Sequence, residues 1–173
     1  FRVFDSLNSL DNMKVAIDEV RNQNKIAEVA LCYTGDILDS SRPKYNLDYY
    51  VNMAKELQGA GANIICIKDM AGLLKPQAAY NLVSALKDAV TVPIHLHTHE
   101  GSGNAIYSYG RAVDAGVDVI DLAYSAFAKG TSQPSMNSMY YALAGHDRQP
   151  EMNIDYMEEM SHYFGSIRPY YRG

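Results

Sequence analysis

The residues best able to do chemistry are His97-Thr98-His99, which close an apolar run, and Lys68, which closes the run before it in Ile67-Lys68-Asp69. Side chains alternate along a strand, so His97 and His99 share a face, about 6.5–7 Å apart along the chain. Two imidazoles so spaced can grip one divalent cation if other strands supply further ligands. A pair of hydrogen-bonded core histidines would satisfy the same spacing. Lys68 is the candidate third ligand, although by default it is a strand-end lysine paired with its neighbour Asp69. His95 lies on the same face one step deeper and reads as a structural or supporting residue. Asp5, Asp36 and Glu100 complete the polar set. Asp36 is explained equally well by capping of the Gly35-Asp36 turn.

Those groups have to be positioned by something, and the sequence alternates apolar runs with helix-period stretches. Runs 1–7, 26–33, 63–68, 92–99 and 117–124 read as strands, short and rich in Val and Ile. Between them recur apolar sets at helical spacing: Met13, Ala16, Ile17, Val20; Tyr50, Met53, Ala54, Leu57; Ala79, Leu82, Val83, Leu86; and Ile106, Tyr109, Gly110, Val113. Gly59, Gly61 and Gly116 fit helix stops and Pro76 a helix start. Gly101-Ser102-Gly103 fits a tight turn into a helix. Two further helices follow the fifth strand, one carrying Met136, Met139, Tyr140 and Leu143, the other spanning 155–164. Alternation of this kind implies parallel strands joined by right-handed crossovers. In such a sheet the C-terminal strand ends share one edge, which gathers Asp5, Asp36, Lys68, Asp69 and His97 to Glu100.

The chain has 173 residues and a formal charge of −5, which gives no reason to expect nucleic acid or a membrane surface. No run reaches the roughly 18 apolar residues of a membrane span. Cys32 and Cys66 sit inside apolar runs without a disulfide framework, which fits a reducing, cytoplasmic setting. Five βα units are too few for an eight-stranded barrel of about 250 residues. The sequence opens inside a strand-like run, so the expectation is part of a barrel, with its N-terminal strands missing, rather than a small open sheet.

Phe-Arg-Val-Phe-Asp-Ser-Leu-Asn at 1–8, Cys-Tyr-Thr-Gly-Asp at 32–36, Cys-Ile-Lys-Asp-Met-Ala-Gly-Leu-Leu-Lys-Pro at 66–76, His-Leu-His-Thr-His at 95–99 and Gly-Thr-Ser-Gln-Pro-Ser at 130–135 together resemble the carboxyltransferase domain of the pyruvate carboxylase family. The match runs almost end to end. Oxaloacetate decarboxylase α subunits and the methylmalonyl-CoA transcarboxylase share the domain type and remain alternatives, as does a catalytically incomplete assembly segment. The Thr-Ser-Gln-Pro-Ser stretch and the tyrosines Tyr140-Tyr141 and Tyr170-Tyr171 look more like pyruvate carboxylase.

The resemblance implies an α/β fold, a (β/α)8 TIM barrel of which 1–173 would hold about strands four to eight plus C-terminal helices, as part of one domain. It implies a divalent metal, zinc or manganese, bound by His97, His99 and a carboxylated, catalytic Lys68, with an aspartate from a first strand outside this chain. Glu100 departs from the usual aspartate. Biotin on a separate carrier domain and ATP used by a separate biotin carboxylase domain of the same polypeptide are implied, as is a homo-oligomer, a tetramer. The implied reaction moves a carboxyl group from carboxybiotin to pyruvate, giving oxaloacetate. A carbamate formed on a neutral lysine offers an anionic oxygen to the metal, and burial would favour that neutral amine. The metal would polarise the pyruvate carbonyl inside a pocket shielded from water. The chain alone is expected to be inactive.

Overall fold

All five expected strands form; four are shorter than their apolar runs, and β3 keeps the length of its run but starts and ends one residue later. The structure, a computed structural model, describes residues 1–171. Its strands are β1 (Arg2–Phe4), β2 (Glu28–Cys32), β3 (Ile64–Asp69), β4 (Ile94–Thr98) and β5 (Val119–Ile120). The helices among the described residues are α1 (Leu10–Asn22), α2 (Leu47–Gly59), α3 (Pro76–Ala89), α4 (Ala105–Asp114), α5 (Met136–Ala142) and α6 (Ile154–Ile167). The strands pair in parallel in the order of the sequence, β1-β2-β3-β4-β5. An order that never reverses, linked by right-handed crossovers, places the crossover helices on one side of the sheet. A doubly wound sheet would reverse direction at a switch point. This sheet is therefore an arc of barrel wall, open at both edges.

The two faces of the arc differ in chemistry. Val29, Leu31, Ile65, Ile67, Ile94 and Leu96 point to the helices and, with Met13, Ile17, Tyr50, Leu57, Leu82, Leu86 and Tyr109, make one buried core. Their alternate neighbours, Arg2, Glu28, Cys66, Lys68, His95 and His97, point inward. The helices begin where side chains take up free backbone N–H groups. Ser9 caps α1, Asn46 caps α2, Ser135 caps α5 and Asn153 caps α6, while Pro76 opens α3. The apolar set expected on α4 is shifted by one position. Its buried face is Ala105, Ser108, Tyr109, Ala112 and Val113, because the buried Ser108 hydroxyl is satisfied by donating to the Leu74 carbonyl at 2.6 Å.

Two polar contacts hold the strand ends. Asn8, at φ 59°, accepts from Cys32 N–H at 2.7 Å and donates to the Cys32 carbonyl at 2.9 Å, taking the place of a strand neighbour. On the other side, the Tyr109 hydroxyl accepts from Thr98 N–H at 3.0 Å and donates to the Asp121 carbonyl at 2.9 Å. That ties the end of β4 to the segment just after β5.

Candidate metal centre

Register brings the expected donors together. Lys68 on β3 is the direct partner of His97 on β4, and in a parallel pair such partners project on one face. His97 and His99 converge until their Nε2 atoms are 3.1 Å apart. His97 Nδ1 lies 2.7 Å from Asp121 Oδ2, and His99 Nδ1 lies 2.5 Å from the Thr131 carbonyl. A carboxylate and a carbonyl can only accept, so each Nδ1 carries a proton, and when both rings are neutral each Nε2 presents a lone pair. In that state the two lone pairs would face each other at 3.1 Å, an arrangement a shared cation would relieve as a proton between the rings would. Ligands about 2.0–2.1 Å from a common zinc would stand about 3.3 Å apart at a tetrahedral angle. The donor set fits a divalent metal.

Lys68 is half-buried rather than enclosed. Its Nζ sits 4.9 Å from the Phe4 ring centroid and makes no hydrogen bond or ion pair to any described residue. The pair with Asp69 does not form, because adjacent strand residues face opposite ways. Asp69 is fully buried on the helix side. It accepts from Leu73 N–H at 2.9 Å, Leu74 N–H at 2.8 Å and the Thr98 hydroxyl at 2.8 Å. Its part is to shape the loop after β3, which passes against the His99 backbone at Gly72.

The other acids of the edge are bound up locally. Asp5 accepts from Leu7 N–H, Ser9 N–H and Asn12 Nδ2 at 2.9–3.1 Å, and Ser9 and Asn12 hold its carboxyl below the usual range. Asp36 pairs with Lys75 at 2.5 Å and accepts from Leu38 N–H; the Lys75 ammonium lowers its pKa. Glu100 accepts from Ala105 N–H at 3.1 Å, closing the turn into α4. Gly101 and Ser102 lie in a 3₁₀ turn before that helix.

Below the histidine pair lies an ion network the sequence did not announce. Arg2 pairs with Glu28 through Nε and with Asp121 Oδ2 through Nη1 at 2.9 Å. His95 sits between two carboxylates, with Nε2 2.8 Å from Asp121 Oδ1 and Nδ1 3.2 Å from Glu28 Oε2. Burial alone would lower the His95 pKa, but Asp121 and Glu28 outweigh it and hold it above its ordinary value. Burial would likewise raise Asp121, yet His95, His97 and Arg2 hold its carboxyl far below the carboxylate range. Arg2 and His95 thus stand between the same two carboxylates. Both His95 nitrogens are committed, which keeps that ring from being a ligand. Glu28, Cys66 and His95 place three donors within 4.8 Å of one another. The Arg2 cation already neutralises Glu28 there, and burial pushes the Cys66 thiol up, away from the thiolate a metal takes. Arg2, Glu28 and Asp121 were missed as site residues. The available signal was a charge flanked by apolar residues in each of three largely apolar runs.

Comparison with known proteins places the arc. The HMGL-like family profile matches residues 5–163. Pyruvate carboxylase of Bacillus subtilis is 61% identical over 171 residues, covering 99% of this chain and 15% of that protein. Human mitochondrial pyruvate carboxylase is 42% identical over 172 residues, again 99% of this chain and 15% of that protein. The chain therefore spans a small part of the curated relatives it matches. The carboxyl transferase domain of Rhizobium etli pyruvate carboxylase superposes with a TM-score of 0.96 at 50% identity, over 97% of this chain and 28% of that one. A second structure of that domain holds pyruvate and biocytin, with the same TM-score of 0.96. An inward polar face on an unreversed five-strand arc is what a segment of such a barrel presents, and the chain belongs to the HMGL-like family, matching the carboxyltransferase portion of pyruvate carboxylases.

Proposed function

We propose that this chain supplies His97, His99 and a carboxylated Lys68 to a divalent metal site, zinc or manganese, in a carboxyltransferase barrel of which 1–173 is one part. The full-length protein would move a carboxyl group from carboxybiotin to pyruvate, giving oxaloacetate. The observation that carries this reading is the pair of Nε2 atoms 3.1 Å apart, both with Nδ1 committed to acceptors. Lys68 as the register partner of His97 supports it, as does the pyruvate- and biocytin-bound relative. When bound, the metal would polarise the pyruvate carbonyl and ease loss of a methyl proton.

The chain's own residues do the rest. His97 and His99 would offer their Nε2 atoms, and Lys68, which has no hydrogen-bond partner among the described residues, is available for carbamate formation. The inward face around them excludes water on its lower side, where His95 and Cys66 are buried. ATP and the biotin carrier belong to other domains of the polypeptide, and the assembled enzyme is read as a homo-oligomer, a tetramer. The exposed aromatics Tyr107, Tyr141, Tyr156 and Tyr163 support such contacts. Both cysteines are free and buried, which supports a reducing, cytoplasmic setting.

The test is metal analysis together with pyruvate-dependent carboxyl transfer in the full-length protein and its Lys68→Ala variant. Loss of bound metal and of transfer is expected. Turnover in the variant equal to wild type refutes the role. The chain expressed alone is expected to show no transfer.

A further inference from the structure

We propose that Asp121, braced by Arg2, is the positioning residue that presets the His97 ring for metal binding, an inference that rests on the metal reading above. Asp121 stands on the side of the ring away from Nε2, so it acts through His97 and does not itself reach the metal. Its two oxygens receive three donors: Arg2 Nη1 at 2.9 Å, His95 Nε2 at 2.8 Å and His97 Nδ1 at 2.7 Å. Which imidazole nitrogen carries the proton is set by the hydrogen bond at the other. With a carboxylate at Nδ1, the proton stays there and the lone pair stays at Nε2, facing His99.

The brace is rigid for reasons visible in the fold. Asp121 N–H donates to the Leu96 carbonyl at 3.1 Å, continuing the pairing of β4 and β5 by one residue. Its own carbonyl is held by the fully buried Tyr109 hydroxyl, which also binds the residue between the two histidines, Thr98. Arg2 reaches across the inner face from β1 to the opposite edge of the arc. Its position links Glu28, Asp121 and the two deeper histidines in one unit. His99 is served instead by a backbone acceptor, the Thr131 carbonyl at 2.5 Å. Among the described residues Asp121 is the carboxylate bonded to His97 Nδ1, so its substitution acts on that ring directly, whereas Arg2 acts chiefly by bracing the carboxylate.

The experiment measures Mn2+ and Zn2+ affinity of the full-length protein by chelator competition, with the electron paramagnetic resonance line shape of bound Mn2+ as second readout. Asp121→Asn keeps the shape, but its amide can offer N–H to His97 Nδ1 and so favour the wrong tautomer. Metal affinity in that variant is expected to fall about 10–100-fold, with a changed Mn2+ line shape and an unfolding temperature close to wild type. Arg2→Met is expected to weaken binding by a smaller factor. Combined with Asp121→Asn it should add less than its own single effect, because both act through one carboxylate. His97→Ala separates the two ideas: metal binding indifferent to that change refutes the metal site itself. Metal binding lost in His97→Ala but unchanged in a folded Asp121→Asn protein overturns the positioning role alone. Failure of both Asp121→Asn and Arg2→Met to fold also overturns it, since the network would then be structural.

Discussion

Gly72 lies in the loop after β3 where Asp69 turns it back against His99, and replacing it with alanine tests how tightly that loop sets the metal-facing backbone. Its φ of +67° is the left-handed region, and a Cβ there would stand 2.6 Å from the His99 carbonyl oxygen, with Ser102 Oγ at 3.2 Å. The backbone conformation costs an L residue about 1–2 kcal/mol. Overpacking against a backbone atom that cannot rotate away adds about 1–3 kcal/mol. Gly103 supplies the internal control. It has φ +74°, but nothing lies within 4 Å of its Cβ position, so Gly103→Ala carries only the first cost. Any change in the unfolded chain is the same for both variants and cancels. The difference is about 1–3 kcal/mol, which at about 2–4 °C per kcal/mol for a unit of 150–250 residues gives a gap of about 2–12 °C in unfolding temperature. Thermal unfolding of the two full-length variants reads it, and metal retention should fall in Gly72→Ala only, because His99 must move. Equal melting temperatures would show that the loop yields freely and that its approach to His99 constrains nothing.

Asn8→Ala removes both hydrogen bonds to Cys32 and leaves a buried N–H unpaired. At about 1–3 kcal/mol for the unpaired group, plus about 1–2 kcal/mol for φ 59° in an L residue without the Asn side chain, the loss is about 2–5 kcal/mol by equilibrium denaturation. Asp118 accepts from Ile94 N–H at 2.7 Å and from Lys87 at 2.8 Å. Burial would raise its pKa, yet these partners hold it below the usual carboxylate value. A depressed carboxylate stabilises the fold above its unfolded pKa of about 3.9, and that contribution is lost as pH falls through the folded value. Asp118→Asn is therefore expected to flatten the fall of melting temperature below about pH 4; an unchanged acid limb would count against the pairing.

The arc was legible because strands covered on both faces read as apolar runs, while the covering helices keep a 3.6-residue period. The departures have local causes. Run 117–124 shrinks to Val119–Ile120 because β5 ends the sheet and has a partner on one side only. The phase of α4 slipped because Ser108 is polar by type and buried in fact. Asp69 was placed beside Lys68 by adjacency, although period-2 alternation already sends neighbours to opposite faces.

That His97, His99 and Lys68 come close together was legible because the information is local: two histidines two residues apart, and a lysine near the end of the preceding strand. The network beneath them was not, since Arg2 on β1, Glu28 on β2 and Asp121 just after β5 meet only through register. Each alone is a charge in an apolar run, which sequence reading assigns to a strand end. A set of such lone charges, of both signs and in phase with inward residues of their neighbours, has a collective reading. A charge on a covered face needs an opposite charge from another strand, and here Arg2 finds one on the neighbouring strand, Glu28, and one across the arc, Asp121. In the layer below His97 and Lys68, Arg2 and His95 stand against Glu28 and Asp121. That pairing explains how these four side chains share a polar inner wall one layer below His97 and His99.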